Sequence, residues 1–256
     1  MITKKSPEEI EVLREAGSIL AKILKGIAKE AVPGVTTLDL DDVAQQLAEQ
    51  HEVEPILLGY HPSFAPTPYP AATCLSVNEV VQHGIPNDHT VLAEGDIINI
   101  DMSIGHKDMV VDSGITVGVG EISKDAQKLI DVTREARAIG VKAAQPGNHI
   151  GDISHAVQKF VESKGFSVVE ALAGHGVGYS VHEEPTIPNF GRPGEGPLIE
   201  VGHVYAIEPI VNIGKPDVIF DDDGDGYTVT TKDGSLSAQF EHTVAITENG
   251  PEPLTI

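Results

Sequence analysis

The sequence predicts an α+β domain made of two similar halves, each with two helices followed by strands. Residues 33–40 and 146–153 align without a gap, and each segment opens on a Pro-Gly pair that ends a helical pattern. The order of helix, Pro-Gly turn, helix and strands occurs in both parts of the chain. We therefore expect residues 1–256 to form a single domain with an internal repeat of about 1–122 and 123–256.

Helices are predicted from capping residues and apolar periodicity. Ser6, Pro7 and Glu9 combine an N-cap, a first-turn proline and a capping box, and the helical spacing that follows ends before Pro33. Further helical patterns run from about 38 to 50, from 126 to 144 and from 151 to 165. Strand patterns lie at 73–81, 96–102, 109–117, 204–207 and 237–246.

Composition excludes several classes of partner. The net charge of −22 argues against nucleic acid and against an anionic membrane surface. The single cysteine, Cys74, excludes an internal disulfide and fits a reducing compartment. The first residues carry charge throughout, without the apolar segment of a signal peptide, and no apolar run has membrane-spanning length. We expect a cytoplasmic protein.

The first candidate site lies in residues 95–114. If His106 and Lys107 form a two-residue hairpin loop, Asp101 and Asp112 face each other across the ladder, with Cβ atoms about 4.5–5.5 Å apart. Carboxylates so close repel, and one of them takes up a proton unless a multivalent cation removes the conflict. The hairpin alone leaves two interpretations open, a metal site and a pair of unrelated solvated aspartates.

The second half supplies further candidate ligands. His175 lies among glycines, where the backbone must pass close to a neighbour. Glu208 ends an apolar strand directly before Pro209, and Glu241 lies in the last strand pattern. Each alone is more often a hydrogen-bonded structural residue. Together with the aspartate pair they suit two adjacent divalent ions bridged by carboxylates and a hydroxide.

Six motifs carry a family resemblance. They are Cys74-x-Ser76-x-Asn78-Glu79-x-x-x-His83-Gly84-x-Pro86, Asn99-Ile100-Asp101, Asp112-Ser113, Gly174-His175-Gly176-Val177-Gly178-x-x-x-His182-Glu183-Glu184-Pro185, Ile207-Glu208-Pro209 and Ser237-Ala238-Gln239-Phe240-Glu241-His242-Thr243. They span nearly the whole chain, which therefore resembles the methionine aminopeptidases in their short bacterial (type I) form. That resemblance implies the pita-bread fold, in which two pseudo-symmetric αα-β halves surround a curved antiparallel sheet in a single catalytic domain.

The resemblance also implies a reaction, the removal of the initiator methionine from nascent proteins, favoured by a small second residue. The hydrolytic group would be a hydroxide bridging two divalent metal ions, whose ligands match Asp101, Asp112, His175, Glu208 and Glu241. His83 and His182 would hold the substrate and stabilise the developing oxyanion, and Glu208 would also pass a proton to the leaving amine. This ligand set suits manganese or iron(II), with cobalt or zinc as substitutes.

The substrate side chain would enter an apolar pocket beside the metals. The residues matching its walls are Tyr60, Tyr69, Cys74, Val181 and Tyr227. Val181 and Tyr227 stand where bulkier aromatics are common in the family, and the proline-rich residues 62–68 resemble an insertion. These departures leave the strictness of methionine selectivity open. We expect Cys74 to be a packed wall residue and not a nucleophile.

Two alternatives have the same fold, a peptidase that cleaves X-Pro bonds and a non-catalytic binding protein. The first usually carries a large extra N-terminal domain, and the second loses metal ligands, whereas all five are present here. Between Pro185 and Glu208 there is no room for the long insertion of the type II form. The family expectation is a monomer that acts on the N-termini of peptides and nascent proteins.

Two weaker signals have ordinary explanations. Residues 221–226 resemble the first half of an EF-hand loop, but Lys232 stands where a bidentate glutamate is needed, so we expect an acidic hairpin tip. Lysines concentrate near the N-terminus at Lys4, Lys5, Lys22, Lys25 and Lys29. A ribosome contact would suit them, but we expect a solvated helix face.

Overall fold

The computed structural model describes residues 2–63, 65–221 and 224–256. Its helices are α1 (Pro7–Glu30), α2 (Thr37–Gln50), α3 (Lys124–Ala143) and α4 (Ile150–Ser163). Its strands are β1 (Glu54–Pro55), β2 (Cys74–Val77), β3 (Val80–Gln82), β4 (Ile97–His106), β5 (Met109–Gly118), β6 (Ser167–Val168), β7 (Ala173–Gly176), β8 (Glu183–Pro188), β9 (Val204–Ile207), β10 (Ile210–Asn212), β11 (Val218–Phe220), β12 (Val229–Thr231), β13 (Ser237–Gln239), β14 (His242–Thr247) and β15 (Gly250–Pro253). All four helices lie close to their predicted bounds.

Local capping fixes the starts of the first two helices. The Ser6 hydroxyl accepts a hydrogen bond from the Glu9 backbone N–H at 3.2 Å, and the Glu9 carboxylate accepts one from the Ser6 N–H at 2.7 Å. Thr36 and Asp39 form the same reciprocal pair at the start of α2. The predicted capping box of α1 is therefore confirmed.

The internal repeat is visible in the element bounds. Adding 113 to the bounds of α2 gives those of α4, and adding 113 to the bounds of β1 gives those of β6. The isolated bridges agree, because Thr36 pairs with Val91 and the corresponding His149 pairs with Leu198. The gapless register predicted for residues 33–40 is confirmed for these elements.

Antiparallel pairing organises the described strands into four sheets. Strand β4 pairs with β1, β2 and β5, and the largest sheet has the order β15-β14-β9-β7-β8. The two smaller sheets have the orders β13-β10-β6 and β11-β12-β3. Helix α1 packs on the β4–β5 hairpin, α2 packs on α1 and β1, and α3 and α4 pack on each other. Within the described residues, none of the helices has the length and apolar character needed to cross a bilayer.

The predicted register of the central hairpin is wrong by two residues. The turn is Lys107 and Asp108, both with positive φ, and not His106 and Lys107. Positive φ at both central residues is the geometry of a type I′ hairpin turn. Asp101 consequently faces Gly114, whereas Asp112 faces Ser103. A shift of two preserves side-chain direction, so both aspartates still lie on one face as diagonal neighbours.

Two predicted strands are interrupted. The pattern at 73–81 is divided between β2 and β3 by a turn in which Asn78 has a φ of 55°. The pattern at 237–246 is divided between β13 and β14, and Glu241 lies in the break. Its backbone N–H donates to the carbonyl of Gly114 on β5 at 2.8 Å, so a long-range contact replaces the local ladder.

The main apolar core joins the two halves. It packs Leu20 and Ile23 of α1 against Ile100 and Met102 of β4, and it extends to Val204 on β9. Because residues from both ends of the sequence share this core, the strands that carry the candidate ligands are held at fixed distances from one another.

Candidate metal centre

Five predicted ligands converge from separate elements. Asp101 lies on β4, Asp112 on β5 and His175 on β7, while Glu208 directly follows β9 and Glu241 lies between β13 and β14. They share the lining of a cavity of about 500 Å³. Each carboxylate residue is at most 8 % exposed, which removes most of the water that would otherwise solvate its charge.

Contacts link the five side chains into one cluster. Ligand atoms of Asp112, His175 and Glu241 lie within 4.8 Å of one another. His175 Nε2 lies 3.5 Å from Glu208 Oε1. The amide of Gln239 joins the remaining member, because Nε2 donates to Asp101 Oδ2 at 3.2 Å and to Glu208 Oε2 at 3.0 Å.

The electrostatics of the cluster are those of crowded acids. Burial raises the pKa of Asp101 well above its usual range, and the nearby charge of Asp112 raises it further. Burial also raises the pKa of Glu208, with Asp101 and Asp112 adding to the effect. The pKa of Glu241 is raised by burial first and then by Asp112. Without a cation, these groups favour protonation over sharing one buried space as anions.

The candidate histidine ligand is neutral. Burial lowers the pKa of His175 to about 4, so the imidazole is uncharged at neutral pH. Its Nδ1 lies 2.9 Å from the carbonyl oxygen of Gly176, and this contact leaves Nε2 facing the carboxylates. A neutral imidazole nitrogen is the form that coordinates a metal ion.

Two buried oxygens test whether this donor set fits a cation. Asp112 Oδ1 and Glu241 Oε1 are buried, and no described residue gives either of them a hydrogen bond. An orphaned buried carboxylate oxygen is costly unless a ligand satisfies it. Oxygen ligands with one imidazole are the donors that divalent first-row metals accept. The residues therefore fit a divalent metal centre.

The backbone around His175 leaves no space for larger residues. A Cβ on Gly174 would lie 2.4 Å from the carbonyl oxygen of Ala206 on β9 and 3.4 Å from Cγ of Glu208. The close approach places β7 against β9, so His175 and Glu208 reach the same cavity. The prediction that backbone passes close to this glycine-rich segment is confirmed.

Backbone and side-chain groups of β5 hold the Glu241 segment by hydrogen bonds. The Asp112 N–H donates to Thr243 Oγ1 at 2.9 Å, and that hydroxyl donates to the Asp112 carbonyl at 2.7 Å. Ser113 Oγ donates to the Glu241 carbonyl at 2.9 Å. These bonds hold two of the acidic ligands, one from each half of the chain, in a fixed relation.

The two predicted non-ligand histidines lie beside the cluster. His83 lines the cavity, and burial followed by the proximity of His182 lowers its pKa to about 4. His182 is exposed at the rim, where the Tyr60 hydroxyl lies 3.0 Å from its Nδ1. The rings of His182 and His175 are 4.5 Å apart between centroids. Both imidazoles thus face the space next to the acids.

An apolar pocket of about 350 Å³ adjoins the acidic cavity. Its lining includes the predicted residues Tyr60, Tyr69, Cys74 and Tyr227, and it shares Cys74, His83 and His182 with the acidic cavity. Burial raises the pKa of the Cys74 thiol well above its usual range, which disfavours the nucleophilic thiolate.

Val181 is the predicted pocket residue that lies away from both cavities. Val181 is 3 % exposed and belongs to the main core together with Val177, and it does not line either cavity. Its neighbour His182 takes the cavity-facing position, which leaves Val181 directed into the protein.

Three residues contribute to the site without having been predicted from the sequence. Gln82 Nε2 donates to Glu208 Oε2 at 2.7 Å, and Gln239 bridges Asp101 and Glu208. Leu57 lines both cavities. The two glutamines lie in short apolar strands, where a polar side chain demands a partner, and that signal could have identified them. Leu57 carries no such signal.

The acidic segment and the proline-rich segment noted in the sequence lie only partly within the described residues. Asp222 and Asp223 of the acidic segment 221–226 lie outside the described residues, and the strands β11 and β12 flank that segment as an antiparallel pair. Phe64 of the proline-rich segment 62–68 also lies outside them, whereas Pro62 lines the apolar pocket.

The chain is similar to known metallopeptidases over nearly its whole length. The family model described as metallopeptidase family M24 matches residues 11–248. A methionine aminopeptidase from Clostridium acetobutylicum is 45 % identical over 256 residues, which is 100 % of this chain and 99 % of that protein.

Solved structures of methionine aminopeptidases are also similar to this chain. A methionine aminopeptidase from Thermotoga maritima superposes with a TM-score of 0.94 at 42 % identity, covering 100 % of this chain and 99 % of the other. A prolidase from Pyrococcus furiosus superposes with a TM-score of 0.76 at 22 % identity, covering 99 % of this chain and 65 % of the other, and shares the fold alone. The predicted pita-bread fold is thereby confirmed.

Proposed function

The chain belongs to metallopeptidase family M24 and, within it, to the methionine aminopeptidases, and we propose that it removes the initiator methionine from nascent proteins with two divalent metal ions. The observation that carries this proposal is the convergence of four buried carboxylates and one imidazole beside an apolar pocket. The preferred substrates are peptides with a small second residue.

The proposed ligands divide between the two ions. Asp112 and Glu241 would be shared by the two ions, Asp101 would hold one of them, and His175 with Glu208 would hold the other. Their mutual contacts and the orphaned oxygens of Asp112 and Glu241 support this division. Manganese, iron(II), cobalt and zinc all accept these donors, and bound ions would supply Lewis acidity and an activated water.

The protein's own groups bind and orient the peptide. His83 and His182, at the edge shared by the two cavities, are placed to donate hydrogen bonds where negative charge develops on the scissile carbonyl. Glu208 lines the acidic cavity and accepts two amide hydrogen bonds on Oε2, which leaves Oε1 to carry a proton to the leaving amine.

The apolar pocket receives the methionine side chain. Its walls are Tyr60, Tyr69, Cys74 and Tyr227, and Tyr69 and Tyr227 pack edge to face at 5.0 Å between centroids. An unbranched thioether gains dispersion contacts against aromatic rings, and its desolvation costs little free energy. Selectivity for methionine follows from this shape, which a charged side chain would enter only at a large desolvation cost.

The same proposal extends to the organisation of the molecule. Residues 1–256 act as a single catalytic domain with repeats of about 1–122 and 123–256, because each repeat supplies part of the ligand set. The protein works as a cytoplasmic monomer on peptide and nascent-chain N-termini. A ribosome contact through Lys22, Lys25 and Lys29 would suit that substrate.

The test is hydrolysis of two peptides, Met-Ala-Ser and Ala-Pro-Ala, by protein of known metal content. We expect metal-dependent release of methionine from the first peptide only. Cleavage of the proline peptide alone would favour the X-Pro class, and no cleavage by metal-loaded protein would favour a binding protein. Asp112→Ala should abolish hydrolysis and leave the fold intact, since one ligand contributed by β5 is lost.

A further inference from the structure

The N-terminal segment contains a buried ion pair next to the active-site rim. Lys5 was expected on a solvated face, but its side chain is only 1 % exposed. Its Nζ lies 2.7 Å from Glu183 Oε2, and the Glu183 side chain is 9 % exposed. Thr3 Oγ1 donates to the same carboxylate oxygen at 2.5 Å. The burial of both charges sets this pair apart from ordinary surface ion pairs.

The structure holds Lys5 in place through backbone contacts. The Lys5 N–H donates to the carbonyl of Gly202 at 2.8 Å, which fixes the segment beside the turn before β9. Gly178 provides the space for the side chain, because a Cβ there would lie 2.3 Å from Lys5 Cε. The ammonium also lies 4.8 Å from the centroid of the Tyr179 ring. Lys5 is therefore built into the loop that it contacts.

The carboxylate of Glu183 organises the loop formed by residues 178–183. Its Oε1 accepts hydrogen bonds from the backbone N–H groups of Tyr179 at 2.5 Å and Ser180 at 3.1 Å. Ser180 Oγ in turn donates to the carbonyl of His182 at 3.0 Å. Glu183 thus satisfies the loop with one oxygen and meets Lys5 with the other.

His182 lies inside this loop. Its residue is exposed, whereas the other predicted substrate-binding histidine, His83, is half-buried. On its solvent side it has the Tyr60 hydroxyl, and on its inner side it has the ring of His175. Neither contact fixes the backbone that carries the ring. The position of the backbone depends on the hydrogen bonds around Glu183.

We propose that Lys5 is a positioning residue, which acts through Glu183 to hold His182 at the edge of the metal centre. Loss of the ammonium leaves a buried carboxylate without its counter-charge, and the loop relaxes to solvate it. A displacement of about 1 Å at a catalytic group can lower the rate about 100-fold. This inference rests on the proposed function, since it assigns His182 to the same site.

The chain offers a matched control in the preceding residue. Lys4 Nζ lies 2.8 Å from Glu200 Oε2, but the two side chains are 53 % and 48 % exposed. An exposed pair contributes little, so Lys4→Met removes the same charge from the same segment with little effect. Lys5→Met removes the buried charge and keeps most of the apolar stem.

The experiment compares kcat and KM for Met-Ala-Ser in metal-loaded wild type, Lys5→Met and Lys4→Met. We expect kcat/KM to fall about 10- to 100-fold in Lys5→Met at unchanged metal content, and by less than about twofold in Lys4→Met. In a His182→Ala background, Lys5→Met should add less than about threefold, because both changes remove the same contribution. An equal loss in both backgrounds, a loss of bound metal, or no loss at all would overturn the proposal.

A second readout does not depend on hydrolysis. Amide hydrogen exchange at Tyr179 and Ser180 should be faster in Lys5→Met than in wild type and unchanged in Lys4→Met. If Lys5→Met does not fold, Thr3→Val and Glu183→Gln test the same network, and unchanged exchange in both would refute it. Should wild-type protein hydrolyse nothing, the proposed function fails, whereas the exchange data still decide whether Lys5 orders the loop.

Discussion

Replacing Glu241 by glutamine should make the metal-free protein more stable, although it removes a ligand. Ligand atoms of Asp112 and Glu241 lie within 4.8 Å of each other. At that separation two unit charges repel by about 3 kcal/mol when the effective dielectric constant is about 20. Because burial raises the pKa of both carboxyls, proton binding already relieves part of this repulsion. We expect the free energy of unfolding of Glu241→Gln to exceed that of wild type by about 1–3 kcal/mol at pH 7.5.

Metal should reverse the order. Binding to the native state alone adds about 2.7 kcal/mol when the free metal concentration is 100 times Kd. The wild type gains this stabilisation, whereas Glu241→Gln loses a charged bridging ligand and gains much less. The assay is urea denaturation of each protein with a chelator and with excess manganese, at constant ionic strength.

Asp41 supplies the matched control, a buried carboxylate outside the cluster. Its Oδ1 accepts hydrogen bonds from the N–H groups of Ala72 at 3.0 Å and Thr73 at 2.9 Å, so its charge is already satisfied. Asp41→Asn should destabilise the metal-free and metal-loaded forms alike, by about 1–3 kcal/mol. The reasoning is refuted if metal-free Glu241→Gln is also less stable than wild type, or if manganese stabilises both equally.

Two further predictions concern pH and packing. Burial lowers the pKa of His203, so below about pH 6.5 the unfolded chain binds a proton that the native state does not bind. The free energy of unfolding therefore falls as the pH falls. His203→Gln should lose less free energy of unfolding than wild type between pH 7 and pH 5, and identical urea denaturation profiles for the two proteins would contradict this. Gly174→Ala should lower metal affinity about 10- to 100-fold, because its methyl would press on the Ala206 carbonyl and displace the neighbouring candidate ligands. In Gly114→Ala the methyl would lie beside two other candidate ligands, but at ordinary contact distances of 3.5 Å from Glu241 Oε2 and 3.6 Å from Asp101 Cβ, so titration with manganese should give a much smaller change. Equal losses would show that the close approach at Gly174 is not the cause.

The helices were predictable because their signals are local. A capping box predicts where α1 begins, and the Pro-Gly pairs at 33 and 146 predict the turns between the two helices of each repeat. The same local chemistry in both halves produces equal bounds after a shift of 113 residues. These helix bounds can be predicted without knowledge of contacts to distant parts of the chain.

The hairpin shows how an error in local reading can leave the functional conclusion intact. Lys107 and Asp108 adopt positive φ, and neither position holds the glycine or asparagine that normally marks such a turn. The resulting shift was even, and an even shift keeps Asp101 and Asp112 on one face. A shift of one residue would have sent one aspartate to the opposite side of the sheet and removed the cation argument.

The interruption at Glu241 and the two glutamine contacts could not be predicted in the same way. Glu241 leaves its strand because its N–H pairs with Gly114, more than a hundred residues earlier in the chain. The bridge made by Gln239 likewise requires that β13 lie beside β4, a contact between strands of different sheets that no local signal in the sequence indicates. Such contacts follow from the packing of the halves and not from either segment alone.

The division of the candidate ligands between the two halves has a physical consequence. Asp101 and Asp112 come from the first repeat, whereas His175, Glu208 and Glu241 come from the second, so the repulsion between acids acts across the joint between them. The apolar core and the hydrogen bonds from Thr243 and Ser113 oppose that repulsion. A divalent cation replaces this repulsion by attraction, because the same carboxylates then bind one common cation. Metal binding and the association of the two halves should therefore strengthen each other.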